Sequence, residues 1–576
     1  ALFPPFVAEC RDGGSRSTTA ANKCDKTRDA AAHRDAQGHV MTASVKPEFV
    51  GIAEQVTESG AEPLKLDPRR YQKTIFEALL DARGRRGGDA WAVEDAERQR
   101  ISSAKLVLGA MVLGGRLAKE TAAGEHVGVM LPNSLGVAVT FFGLQAFGRI
   151  PAMLNFSAGV RNIEAACAAA EVETVITARR FIELAKLEAV VEALEKTKKI
   201  IWLDDLKANL SLGDKLKGLA RAKMARSVYN RRGLKPTDVA VILFTSGTEG
   251  TPKGVALTHQ NVLSNTHQAD VSFELLDSDI VFTPLRVFPP FAPPGGMLLP
   301  LVEGLRLFLY PSPLHYRAIP PLVRESKATI LFGTDTFLTG YARASEGDEF
   351  ETVRLLVAGA ERVKDQTRAL WADRFGLAIF EGYGCTEMAP VVAVNTFRQF
   401  RPGSVGPLLP GIEHRLEPVP GLDEGGRLMV RGPNTMAGYY TVDEPGKLKP
   451  PAGGWHDTGD IVHIDEDGFV HIRGRAKRFA KIGGEMVSLA AIEAYAAEVW
   501  PDNAHAVVAI EDPRKGEQLV LVTDHQDAAR DDLLAWSRQH GVSELMIPKR
   551  LVSVDSLPVL GTGKLDYVSI RRIAEN

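Results

Sequence analysis

At 576 residues the chain is too long for a single hydrophobic core, so two or more domains are expected. An apolar content of 45% with 24% charged residues is that of an ordinary globular protein, and 69 basic against 72 acidic residues leave a net charge of -3, which excludes the global basicity of a nucleic-acid binder. Four cysteines (Cys10, Cys24, Cys167 and Cys385) without a C-x-x-C pair argue against a disulfide framework and a structural zinc site, and point to a cytoplasmic protein.

In chain order, residues 1–66 read as a disordered tail or linker, because 11–40 contains no Ile, Leu, Phe, Trp or Tyr. Residues 1–8 are apolar but carry two prolines and no basic region, a poor signal peptide. The sequence starts on Ala, with Met41 near the onset of globular composition; an upstream extension and a piece of a longer chain both stay open. No stretch reaches a membrane span, and 135–154, interrupted by Gln145 and Arg149, reads as one buried helix. Short apolar runs at 126–131, 174–177, 200–203, 239–244, 329–332 and 355–358, separated by longer amphipathic stretches, give the α/β pattern. Between 204 and 235 nine Lys/Arg stand against three Asp, and Leu216, Ala220, Met224 and Val228 recur every fourth residue, the pattern of a basic amphipathic helix. Past 475 a compact α+β unit is expected, with a helix over 489–499 and strands over 506–510 and 519–522.

The run at 239–244 leads into Thr245-Ser246-Gly247-Thr248-Glu249-Gly250-Thr251-Pro252-Lys253-Gly254. Its three glycines let backbone N–H groups turn toward one anion, four hydroxyls add donors, and Lys253 adds a movable positive charge, so the loop suits phosphates. It is not a Walker loop, since a proline precedes the lysine, and a solvated hairpin turn is the alternative. Farther on come Phe380-Glu381-Gly382-Tyr383-Gly384-Cys385-Thr386-Glu387, Trp455-His456-Asp457-Thr458-Gly459-Asp460, Gly474-Arg475-Ala476-Lys477, Lys481-Ile482-Gly483-Gly484-Glu485 and Pro558-Val559-Leu560-Gly561-Thr562-Gly563-Lys564.

These six pieces, in this order, resemble the motifs of the adenylate-forming superfamily of AMP-dependent synthetases and ligases. The resemblance covers roughly 70–576 and implies an α/β fold: a large N-terminal domain of mixed sheets and helices (67–474) and a small mobile α+β C-terminal domain (475–576). It implies ATP and Mg²⁺ as cofactors and conversion of a carboxylic acid to an acyl adenylate, which a thiol then attacks. Lys564 resembles the catalytic lysine bridging carboxylate and α-phosphate, where preorganised charge acts most on the rate. Glu387 would hold Mg²⁺ and Thr386 a phosphate. Asp460 and Arg475 would reach the ribose, Tyr383 offers adenine a stacking face unless it is a core tyrosine, and Gly359-Ala360-Glu361 resembles the backbone beside the base. Gly484 would line the thiol's channel after the small domain rotates, a place where a side chain would obstruct. Cys385 reads as a small packed thiol, His456 carries no assigned role, and no clustered Cys/His zinc site is expected.

Two departures stand out. Arg478 occupies a pivot position where the family often has Asp, and 284–296 has Pro289 where a His is usual. Residues 310–317, 475–489 and 540–548 are similar to the acyl-acyl-carrier-protein synthetase half of bifunctional lysophospholipid acyltransferases, although none of the thirteen histidines has the Asp five residues later that marks the acyltransferase half. The expected reaction is therefore activation of a long-chain fatty acid and its transfer to the phosphopantetheine thiol of acyl carrier protein; a part in a lysophospholipid reacylation system stays open. A fatty acyl-CoA synthetase and a degenerate nucleotide-binding protein are the alternatives. No nucleic acid is expected as partner; the basic helix would meet an acidic carrier protein or the inner membrane surface, or be a linker.

Overall fold

A computed structural model describes residues 64–246, 251–286, 292–419, 422, 424–482, 485–512, 516–540, 542–559 and 565–576. The expected tail, apart from 64–66, lies outside them. The described residues form four sheets. One eight-stranded sheet runs in the order Val391–Val394, Ile379–Gly384, Leu355–Ala358, Ile330–Gly333, Ile280–Thr283, Arg306–Leu309, Trp91–Asp95, Arg100–Ser102, parallel except at its two edges. The second runs Glu444–Lys449, Gly438–Thr441, Pro252–Thr258, Val239–Ser246, Ile150–Met153, His126–Val129, Thr174–Thr177, Lys199–Trp202, with its parallel half on the Lys199–Trp202 side. Their parallel strands are short apolar runs because both faces are covered by helices. The helices Ser103–Leu117, Leu135–Ala146 and His259–Phe273 supply the largest apolar core, which includes Leu106, Met111, Phe141, Phe142 and Val262.

Two sequence expectations change here. The apolar stretch 135–154 is a helix only over Leu135–Ala146; Gly148, at φ 68°, turns the chain, and Ile150–Met153 becomes a strand between two others. Apolar residues on both sides of Gly148 and Arg149 hid that turn. The basic segment 204–235 is three helices, Leu203–Ala208, Leu212–Lys223 and Ala225–Asn230, and Leu216 and Met224 are exposed rather than packed. The buried face of Leu212–Lys223 is Gly218 and Ala222, because the helix lies so close to Val112 that a Cβ on Gly218 would come within 2.2 Å of it.

A third sheet, antiparallel throughout, orders Glu413–Glu417, Gly426–Arg431, His456–Ile464 and Val470–Arg475. The fourth contains Glu485–Ser488, Phe479–Ile482, Gly516–Thr523 and His505–Asp512, with Arg550–Ser553 also paired to Gly516–Thr523. Side chains alternate across it: Val507, Leu519 and Leu521 face a core with Ile492 and Leu533, while Ala506, Val508, Val520 and Val522 face one with Ile570 and Ala574. Both cores draw only on residues after 479. Arg478, just before this sheet, donates to Val507 O at 2.7 Å and to Glu493 Oε1 at 2.6 Å, with its guanidinium 3.8 Å from the centre of the Tyr567 ring.

Candidate functional site

The strands Val239–Ser246 and Pro252–Thr258 pair antiparallel, Thr245 opposite Lys253 and Ser246 opposite Pro252, so the Gly/Thr-rich segment is a hairpin connection. Its described ends are Thr245 on one strand and Lys253 on the other. Gly247, Thr248 and Gly250 lie outside the described residues; so do Gly484, Lys564 and the Pro289 departure. Thr245 is half-buried, and Thr251 and Lys253 are exposed.

Lys253 lies in the second sheet, beside the residue through which that sheet reaches the first. Its Nζ lies 5.4 Å from the centre of the Tyr439 ring, on the neighbouring strand Gly438–Thr441, and the Tyr439 hydroxyl donates to Glu387 Oε1 at 2.6 Å. Glu387 and buried Thr386 sit on a single short turn, Thr386–Met388, just past the end of Ile379–Gly384 in the first sheet. Gly384 lets the chain around that turn close on itself: a Cβ there would stand 2.1 Å from Pro390 O. Burial, with the Glu387 carboxylate beside it, pushes the Tyr439 phenol far above its usual range, so it stays a donor.

The third sheet enters through Asp460. Its Oδ2 accepts from the Tyr383 hydroxyl at 2.5 Å and its Oδ1 pairs with Arg475 Nε at 2.8 Å across the strand pair Asp460↔Arg475. Burial raises the Asp460 carboxyl, opposed by Arg475 and the Tyr383 bond, and the Tyr383 phenol rises well above its usual value for the same reason of burial. The Tyr383 ring packs with Met388, Val392, Leu428 and Val430, so the expected stacking residue is also a core residue. Gly382 pairs with Val394 beside it. Gly359 and Ala360 follow the strand Leu355–Ala358, with Ala360 at φ 66°, a conformation costly for a residue with a Cβ. Glu361 accepts from Thr336 N–H at 3.3 Å and from its hydroxyl at 3.0 Å.

Ends of three sheets therefore converge: Lys253 and Tyr439 from the second, Tyr383, Thr386 and Glu387 from the first, Asp460 and Arg475 from the third. In open α/β sheets the carboxyl ends of strands are where ligands bind. Sequence reasoning missed Tyr439, which belongs to none of the motifs, and the neighbourhood of Cys385 and His456. The Cys385 Sγ, a Glu387 oxygen and a His456 ring nitrogen all lie within 4.8 Å of one another. The 314–318 segment borders a hollow of about 550 Å³ with Gly340, Arg343 and Ala344, which contains none of the motif residues.

The chain belongs to the AMP-binding enzyme family, whose match spans residues 80–440. It is 29% identical over 503 residues to a feruloyl-CoA synthase from an Amycolatopsis species, covering 85% of this chain and 95% of that protein. It is 28% identical over 549 residues to a long-chain-fatty-acid–CoA ligase from Salmonella typhimurium, covering 87% and 95%. Among solved structures, ATP-bound MatB from Rhodopseudomonas palustris superposes with a TM-score of 0.75 at 24% identity, covering 88% of this chain and 99% of that one, a likeness of fold. Among the described residues no helix is long and apolar enough to cross a membrane.

Proposed function

We propose that the protein activates a long-chain fatty acid with ATP to acyl-AMP and passes the acyl group to a phosphopantetheine thiol, that of CoA. The observation that carries the reading is the Lys253–Tyr439–Glu387 relay between two sheets, beside the Tyr383–Asp460–Arg475 group of the third. A cation and a held carboxylate at one edge suit the phosphates; a buried carboxylate at the other suits ribose hydroxyls. Tyr439 engages one Glu387 oxygen, and among the described residues the other accepts from none, which fits a hard divalent cation such as Mg²⁺. When bound, that ion neutralises phosphate charge.

The residues divide the work. Lys253 and the hydroxyls of Thr245, Ser246, Thr248 and Thr251, with the Gly247 and Gly250 backbone, hold the phosphates. Thr386 adds a donor. Asp460 and Arg475 fix the ribose, and Gly382-Tyr383-Gly384 with Gly359-Ala360-Glu361 border the base. Lys564 neutralises charge where the carboxylate oxygen bonds to the α-phosphorus and pyrophosphate leaves. The unit at 475–576, which has its own cores, then turns to bring Gly484 to the thiol's path, and the thiol sulfur displaces AMP from the acyl carbon.

CoA as acceptor is supported by the names of the relatives above. A carrier-protein acceptor is favoured by one separate observation, the exposed Lys215, Lys217 and Lys223 on the helix Leu212–Lys223, a basic surface for an acidic protein. The test offers CoA and holo acyl carrier protein in parallel, with ATP, Mg²⁺ and palmitate. Thioester on CoA alone supports the leading reading, on carrier protein alone the second. Palmitate-independent pyrophosphate release, or none, removes both.

A further inference from the structure

We infer that Cys385, Glu387 and His456 form a binding site for a thiophilic divalent cation, Zn²⁺ above all, within the site already described. Each supplies one ligand atom, and these atoms lie within 4.8 Å of one another. Around a tetrahedral zinc, with bonds of about 2.0–2.3 Å, ligand atoms stand roughly 3.3–3.8 Å apart. Side-chain rotations that close the set by about 1–1.5 Å therefore suffice. Cys385 and Glu387 flank Thr386 at one short turn, and His456 starts the strand His456–Ile464, so rigid elements carry all three. His456 is 7% exposed.

The donor set decides the metal. A carboxylate alone suits Mg²⁺; adding a thiolate and an imidazole shifts preference to Zn²⁺. Binding exchanges the thiol proton for the metal: Cys–SH and Zn²⁺ give Cys–S–Zn⁺ and a released H⁺, with no redox change. Tyr439, donating to Glu387 Oε1, is the outer partner that orients the carboxylate ligand. Three protein ligands leave a fourth position for water or a phosphate oxygen. Zn²⁺ would then engage the carboxylate proposed for Mg²⁺ and inhibit adenylation. That consequence rests on the proposed function, whereas the metal binding does not.

The test uses the full chain, stripped with chelator and free of substrate, titrated with Co²⁺. The expected result is a thiolate-to-cobalt charge-transfer band saturating at one equivalent, displaced by Zn²⁺ and not by excess Mg²⁺. Losing an outer partner of a metal site costs about 10–100-fold in affinity, so Cys385→Ser, losing a ligand, should abolish the band and weaken Co²⁺ binding by at least about 100-fold. His456→Gln should keep the band but weaken binding, with circular dichroism checking both variants. In the wild-type protein, one equivalent of Zn²⁺ should protect Cys385 from iodoacetamide, a readout that needs no variant. Absence of the band, a band that survives Cys385→Ser and is lost on replacing Cys10, Cys24 or Cys167, or unprotected Cys385 overturns the site. Zn²⁺ inhibition of palmitate-dependent pyrophosphate release, relieved in Cys385→Ser relative to its own zinc-free rate, tests the consequence. A band without pyrophosphate release defeats the functional reading and leaves the metal site standing.

Discussion

Tyr439→Phe isolates one atom of the proposed phosphate end. The ring stays, and with it the Lys253 contact at 5.4 Å; only the hydroxyl that donates to Glu387 at 2.6 Å is lost. A hydrogen bond to a charged acceptor contributes about 1.5–3 kcal/mol where it is shielded from water. Glu387 and Tyr439 are both half-buried, so the lower part of that range applies. An outer partner of a metal ligand contributes on the same scale, about 10–100-fold in metal affinity. The half-saturating Mg²⁺ concentration for palmitate-dependent ATP–pyrophosphate exchange should therefore rise about 10–30-fold, with the rate at saturating Mg²⁺ reduced far less. Exchange measured across a Mg²⁺ series at fixed free ATP reads this directly, and thermal melting controls for the fold. An Mg²⁺ dependence that overlays the wild type, in a variant that still folds, would refute the assignment of Glu387 to the metal. A lowered melting temperature with unchanged Mg²⁺ dependence would make the bond purely structural.

Three other outcomes are expected. Lys564→Ala should slow adenylation by about 100-fold or more yet spare thioester formation from synthetic palmitoyl-AMP, because the lysine acts while charge builds at phosphorus; equal loss in both half-reactions contradicts that division. His259 is buried and its Nδ1 accepts the Ile75 N–H at 3.1 Å, so burial pulls its pKa down to about 4. The unfolded chain takes up a proton there below about pH 6.5 and the folded chain does not until near pH 4, so stability should fall with pH through that window. The loss is about 1.4 kcal/mol per unit and about 2 kcal/mol by pH 5. His259→Asn keeps an acceptor for Ile75 but cannot titrate, and its urea midpoint should lose that part of the pH 7 to pH 5 difference; an identical difference in both proteins removes His259 as the cause. Replacing Lys215, Lys217 and Lys223 together by Glu should weaken carrier-protein acylation in a salt-dependent way and leave CoA acylation alone, if that surface docks the acceptor. Arg221 is left out of this set because it stacks on Phe147 at 5.4 Å.

The strands at Thr174–Thr177 and Leu355–Ala358 were legible residue for residue, because each is a short apolar run bounded by polar residues and buried on both faces. So was the helix Leu489–Val499, begun by the Ser488 side chain capping Ala491 N. Apolar residues on both sides of Gly148 and Arg149 concealed the helix-to-strand change there, since periodicity separates the two only when a polar face exists. On the helix Leu212–Lys223 the four-residue spacing of Leu216, Ala220, Met224 and Val228 pointed to the wrong face: close approach to Val112 selects small residues, and Gly218 carries no hydrophobic signal. At the site, Tyr383, Glu387, Asp460 and Arg475 could be named as candidates because each falls in a short contiguous segment that resembles a motif of the adenylate-forming superfamily. Tyr439 and the meeting of Cys385 with His456 could not, because strand pairings between distant segments create them.

The central claim is tested most directly by following AMP, pyrophosphate and thioester together, using purified protein with ATP, Mg²⁺, palmitate and CoA. The account predicts one AMP and one pyrophosphate per palmitoyl thioester, with pyrophosphate exchange persisting when CoA is omitted. ADP and orthophosphate as products, or thioester formed without palmitate-dependent pyrophosphate exchange, would contradict it.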